Sequence, residues 1–302
     1  MGNKILLSLI FIIIAISLLI FYWFIPLSDT EFFVQSKSSD FSFGKSDKPV
    51  QFYDNMRFPL PRISYKIDNC PLQKKEDMLR AFAILDEKTN ISFYEVNNDE
   101  EIIVTCDSKN KIEEGLFIAG EGGPTNITKA GSFNVITKGK ILLIKESTCS
   151  MPNIALHELL HVLGFDHSEN RNDIMYAISN CNQEINPSII ELINLLYSVP
   201  SYPDLLFENV SADMHGKYLN MNMSIRNNGI QDAPNSKIKI YADSSEVKEI
   251  EVESLMIGHG RIISLTNIWI SQLSIKEIKL EIVAPFNELK KENNEILLEV
   301  KK

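Results

Sequence analysis

Residues 5–25 are an almost unbroken apolar run, with only Ser8 and Ser17 interrupting it. At ~1.5 Å rise per residue, these 21 residues make ~31 Å of helix, enough to cross a bilayer core. The run has no polar face, which argues against a buried amphipathic helix. Tyr22 and Trp23 fall where a membrane interface would lie, Lys4 precedes the run, and Asp29 and Glu31 follow it. This pattern predicts a transmembrane anchor over 1–27 with its N-terminus in the cytoplasm and the bulk of the chain outside. A cleaved signal peptide is the rival, and would make the protein secreted. Its apolar region is usually shorter and ends in small residues, which does not fit here.

Residues 28–60 have no clear period and predict a tether. From Arg62 the pattern tightens. Ile63, Tyr65 and Ile67 alternate as in a half-buried strand, and Met78, Leu79, Phe82 and Leu85 recur at helical spacing, predicting a helix over 72–88. Short β-type runs follow at 91–96 and 101–106. Residues 120–124, Gly-Glu-Gly-Gly-Pro, read as a turn, and 132–136 and 140–145 as two more strands. Residues 153–164 predict a helix. Asn186-Pro187 opens another, to about 198, with Asn as N-cap and Pro in the first turn. Pro200 and Pro203 mark a boundary. Beyond it Leu219-Met221-Met223-Ile225, Ile238-Ile240 and Ile278-Leu280-Ile282 alternate with polar residues, with a turn signal at Asn228-Gly229. This predicts an all-β, immunoglobulin-like sandwich over 204–302. The strand–helix–strand–strand order before it predicts an α/β sheet with a crossover helix on one face, in a separate domain over 61–199.

Composition narrows the function. A formal net charge of -10, without long basic stretches, argues against nucleic acid as a partner. The four cysteines are widely spaced, with no C-x-x-C pair, so a cysteine zinc knuckle is disfavoured. Cys70–Cys106 with Cys149–Cys181 is the favoured pairing, because each loop then closes within one half of a single domain; free buried thiols are the alternative. Asn90, Asn126, Asn209 and Asn222 stand in N-x-[ST] sequons, which permit an outside location.

Three of the five histidines fall in one window: His157-Glu158-Leu159-Leu160-His161-Val162-Leu163-Gly164-Phe165-Asp166-His167. Residues four apart share a helix face, so His157 and His161 can present two imidazole nitrogens to one ion. Neutral imidazole suits zinc. Gly164 tolerates positive φ, so the chain can stop and bend there and bring His167 back as a third ligand. Three ligands leave a position for water, the catalytic pattern. Glu158, beside His157, stands where a base must be to take a proton from that water. His215 and His259 are isolated and are not expected to bind metal.

This H-E-x-x-H-x-x-G-x-x-H stretch resembles the metzincin zinc-peptidase signature. Met175, in Asp173-Ile174-Met175-Tyr176, resembles the Met-turn, which in that family forms an apolar floor under the metal. His167-Ser168 and the short gap to Met175 look most like the matrixin branch. The chain departs from the matrixin pattern at Ala177, where the family has proline, and Pro61-Arg62 is not followed by the cysteine of a cysteine switch. The resemblance implies one catalytic Zn2+ and an α+β domain with a twisted five-stranded sheet, an active-site helix, a C-terminal helix and an edge strand that pairs with extended substrate, placed around 132–136. Residues after 204 resemble, on Asn227-Asn228-Gly229, Trp269 and Glu292-Asn293-Asn294-Glu295, a CARDB-type immunoglobulin-like module. The expectation is a membrane-anchored, extracytoplasmic zinc endopeptidase acting on protein or peptide, with a sandwich free to meet a cell-surface partner. The alternatives are a surface adhesion or scaffold protein with a non-catalytic zinc site, and a zinc hydrolase of a non-peptide bond.

Overall fold

A computed structural model of the chain describes residues 2–24, 29–37, 39, 41–43, 51–108, 111–113, 116–272 and 274–301. The chain forms two compact units. One comprises Met1–Asp40, Asp204–Asn227 and Ala233–Lys302; the other comprises Phe41–Pro203 with Asn228–Asp232.

The first unit begins with helix α1 (Gly2–Phe24), whose apolar side chains from Ile5 to Phe21 are exposed. It is long and apolar enough to cross a membrane. Strand β1 (Asp29–Lys37) follows four residues later. These residues were expected in a tether. Instead β1 is hydrogen-bonded on both sides within the β-rich unit, and Phe32 is buried in its core. Residues 44–50 of the expected tether lie outside the described residues.

In the second unit, β2 (Met56–Arg57), β3 (Arg62–Asp68), α2 (Leu72–Lys88), β4 (Ser92–Glu95) and β5 (Ile102–Cys106) come first. A small hairpin of β6 (Lys111–Glu113) and β7 (Leu116–Ile118) follows, then β8 (Gly120–Ala130), β9 (Phe133–Leu143), α3 (Asn153–Val162) and α4 (Pro187–Ser198). The sheet runs β4-β3-β5-β9-β8, with β2 paired to residues 134–135 of β9. Its central pairs are parallel, while β8 and β9 form an antiparallel hairpin around Gly131 at φ +52°. Helix α2 buries Met78, Ala81, Phe82 and Leu85, the face the spacing predicts, and the Phe82 ring stacks 4.2 Å from Tyr65. Asn186 caps α4 by accepting from the Ser188 amide. Buried Arg57 donates to the Leu196 and Val199 carbonyls, which the end of α4 leaves without helical partners. The disulfides are Cys70–Cys106 and Cys149–Cys181, the expected pairing.

Two local expectations fail here. Residues 133–136 lie in β9 between β8 and β2, so they are interior rather than an edge. Gly120–Pro124, read as a turn, is the start of β8, which among the described strands pairs with β9 alone.

The β-rich unit continues with β10 (Leu205–His215), β11 (Tyr218–Asn227), β12 (Ser236–Ala242), β13 (Ser245–Val252), β14 (Gly260–Trp269), β15 (Glu277–Val283) and β16 (Glu295–Val300). The order is β13-β12-β15-β16-β1-β10-β11-β14, antiparallel throughout. Alternate residues of both halves, Phe207, Met221 and Ile225 from one and Ile238, Leu280 and Leu298 from the other, enter one core. The sheet therefore rolls over on itself, and β1 joins the halves that a sandwich would leave separate. Asn228-Gly229 does not close a hairpin, because β11 pairs with β10 and β14 and not with β12.

Candidate metal centre

Helix α3 places His157 and His161 one turn apart on one face, and the rest of the helix anchors that face. Ala155, Leu156, Leu159, Leu160 and Val162 are buried in the core. The helix ends in a Schellman turn: the Gly164 amide donates to the His161 carbonyl at 2.9 Å and the Phe165 amide to Leu160 at 3.0 Å. Gly164 has φ +93°, and a Cβ there would meet Met56 at 2.7 Å. Both facts require glycine, and the turn returns His167 to the site.

The three rings converge. Nε2 of His161 lies 3.0 Å from Nε2 of His157 and 3.1 Å from that of His167. Nitrogens ~2.0–2.1 Å from one tetrahedral ion stand roughly 3.3–3.4 Å apart, close to this spacing. The hydrogen bonds fix the donor set. Nδ1–H of His157 donates to the Ile174 carbonyl at 2.6 Å, and Nδ1–H of His161 to the Phe165 carbonyl at 2.8 Å. A carbonyl only accepts, so in the neutral rings both Nε2 atoms carry lone pairs that face each other, an arrangement a cation relieves. Burial keeps the rings neutral. Desolvation lowers the His157 pKa, and desolvation followed by the neighbouring His157 pushes His161 down to about 4. The residues fit zinc.

Glu158 is buried beside the triad, and its carboxylate lies against the start of β8. A Cβ on Gly120 would meet Glu158 Oε1 at 2.7 Å, and one on Gly122 would meet the Glu158 carbonyl oxygen at 2.3 Å. Desolvation, with Glu121 nearby, pushes Glu158 up to about 8. A cleft of about 730 Å³ opens over these groups, with Gly120–Gly122 on one side, the histidines and Glu158 at its base, and Ala177–Ser179 on the other.

Met175 is buried, and its turn ties the site together. Its carbonyl accepts from the Ser168 amide, next to His167, while Ile174 holds the His157 ring. All five expected site residues thus gather in one region. Three contributors escaped the sequence reading. Asp173 is buried, and its carboxylate accepts from the Met175 amide and from Asn186; its place two residues before Met175 is the local signal for such a turn. The glycines of β8 are the second. The third is the segment before β2. The Phe52 ring stacks on His161 with centroids 5.8 Å apart, the Phe52 amide donates to Gly164, and the Gln51 side chain donates to Leu163.

Fold and site together define a zinc-metallopeptidase class of domain. Residues 59–197 match the family model described as matrixin, and residues 202–296 match the one described as CARDB. Among solved structures it is similar to high choriolytic enzyme 1, a hatching enzyme zinc-protease from the medaka fish Oryzias latipes. There the identity is 18%, coverage is 46% of this chain and 90% of that one, and the TM-score is 0.30. It is also similar to the CARDB domain of the PF1109 protein from Pyrococcus furiosus, in complex with di-metal ions, at 18% identity, 33% and 88% coverage and a TM-score of 0.28. Among curated proteins, none matches the chain.

Proposed function

We propose that the protein is a membrane-anchored, extracytoplasmic zinc endopeptidase. Residues 1–27 anchor it, 61–199 cleave protein or peptide substrates, and 204–302 form an accessory domain that meets a cell-surface partner. One Zn2+ would sit on His157, His161 and His167, where a bound ion supplies Lewis acidity to water and to the scissile carbonyl. The rest is done by the chain. A cation held by the histidines would favour the ionised form of Glu158 against the upward push of burial, and that carboxylate takes a proton from the attacking water and gives it to the leaving amine nitrogen. Met175 floors the histidines, and Asp173 holds that floor. Among the described residues no strand pairs with β8 on the side away from β9, and an extended peptide adds there. The absence of side chains at Gly120 and Gly122 lets β8 run directly over Glu158, so a peptide laid on that edge passes the base. β8 continues to Ala130, beyond the cleft, which suits an internal segment of a longer chain. The two disulfides and the exposure of all four sequon asparagines support an outside location.

The observation that carries this reading is Glu158 beside three converged Nε2 atoms. A purely structural zinc clip has no use for a buried carboxylate that ligates nothing, which weighs against the scaffold alternative. Glu158→Gln keeps the shape and removes the base. Cleavage of a fluorescent casein is expected to fall by roughly 10²–10⁴-fold, with zinc per chain unchanged. Undiminished cleavage by the variant would overturn the assignment.

A further inference from the structure

We propose that the end of the β-rich unit carrying Lys217, Tyr218 and Trp269 lies in the lipid headgroup layer, so that the unit seats on the membrane surface. This rests on reading α1 as the membrane anchor. The strand register supplies the first observation. Asp29 of β1 is opposite His215 of β10, His215 is opposite Tyr218 of β11, and Tyr218 is opposite Trp269 of β14. Directly opposed residues of antiparallel strands share a face. The four residues therefore form one transverse row at one end of the sheet. At ~4.8 Å per strand, the row extends about 14 Å from Asp29 to Trp269.

The second observation is covalent. Asp29 is five peptide steps from Phe24, the last residue of α1. Five steps span at most about 18 Å. The row therefore starts within that distance of the end of the anchor, and headgroup layers are each roughly 5–8 Å deep outside the hydrocarbon. Helix α1 does not fold back on the β unit, since none of the segment Lys4–Phe21 is buried.

The chemistry of the row is the third observation. Tyr218 is 50% and Trp269 60% exposed, a cross-strand aromatic pair open to solvent among the described residues. Their amphipathic rings favour the boundary between water and lipid. Lys217 sits beside them in the two-residue turn after His215, with Gly216 at φ +61°. It supplies a cation for anionic headgroups. The two carboxylates near this end are not bare: Nδ1 of His215 lies 2.6 Å from Asp29 and Nε2 lies 2.9 Å from Asp213, and an imidazolium there offsets one of the two charges.

The chain has two tryptophans, Trp23 and Trp269. Trp23→Phe leaves Trp269 as the only reporter. The full-length variant is reconstituted in phosphatidylcholine–phosphatidylglycerol vesicles, with and without bromine on the upper acyl chain. Trp269 emission is expected to be quenched by the brominated lipid and protected from aqueous iodide. Tyr218→Ser with Lys217→Ser should weaken both effects, and Ile262→Ser, seven residues along β14, should leave them unchanged. Iodide quenching without bromolipid quenching overturns the proposal, provided the protein still floats with vesicles after alkaline wash. Protection from iodide without bromolipid quenching also overturns it, in favour of a protein cover. Loss of the protein from washed vesicles refutes the anchor reading itself.

Discussion

His157 and His161 lie inside the matrixin-like domain, each with Nδ1 taken by a backbone carbonyl, and burial holds their pKa values below the ordinary imidazole value. His215 stands exposed at a strand end, with a carboxylate on each ring nitrogen, and its hydrogen bond to Asp29 leads the causes that raise its pKa. The side chain is the same and the outcome is opposite. Desolvation disfavours the imidazolium and leaves lone pairs for a metal, whereas carboxylates favour the imidazolium and turn the ring into a cationic clamp. The environment, more than the residue, decides which histidines are fit to hold a metal.

The largest effect that tests this contrast is His161→Ala. His161 is the central ring, about 3 Å from both of the others. Its loss should strip zinc from the protein during dialysis, as read by elemental analysis. Zinc affinity should fall by more than the roughly 10–100-fold lost when a group that only orients a liganding ring is removed. His215→Ala should leave zinc content unchanged. Equal zinc in both variants would erase the distinction between the two clusters.

Much of that distinction was legible in the sequence. The spacing of four puts His157 and His161 on one face whatever the surroundings, and Gly164 announces a positive-φ stop. The amphipathic period of 72–88 likewise predicts a helix with the observed bounds. The β-rich texture after Pro203 was legible from strict alternation. The unread parts depend on partners far away in the chain. Phe32 and its neighbours show no alternation, and β1 exists because β10 and β16 supply edges; His215 is 186 positions from Asp29. Gln51 reaches Leu163 over 112 positions. Gly120, Gly122 and Pro124 carry every local mark of a turn. They form a strand because β8 must approach Glu158 more closely than a Cβ allows, a requirement no local window contains.

That close approach gives the next prediction, intermediate in size. A Cβ at Gly122 meets backbone, the Glu158 carbonyl at 2.3 Å, while one at Gly123 meets nothing within 4 Å. Gly122→Ala should therefore destabilise by about 1–3 kcal/mol, as overpacking does. For a domain of this size that is roughly 2–4 °C of Tm per kcal/mol. It should also reduce peptide cleavage, by pushing β8 off the base. Gly123→Ala should stay within about 0.5 kcal/mol. Equal melting of the two variants would mean that β8 does not press on α3.

The smallest effect concerns the exposed histidine and has a defined sign. The folded-state pKa of His215 is raised, so its contribution is fully present below the ordinary imidazole value of ~6.5 and fades as pH climbs through the raised one. Asp29 on β1 and Asp213 on β10 face the ring, and Asn220 on β11 holds Asp213 through a 3.0 Å hydrogen bond. His215→Gln keeps a hydrogen-bonding side chain and removes the titration. The variant should melt below wild type under mildly acidic conditions and converge with it at alkaline pH. Hydrogen exchange at the β1 amides should move in the same sense, because the ion pair joins β1 to β10. A melting difference that does not change with pH would show that His215 works as a neutral ring, and the electrostatic half of the contrast with His157 and His161 would fall.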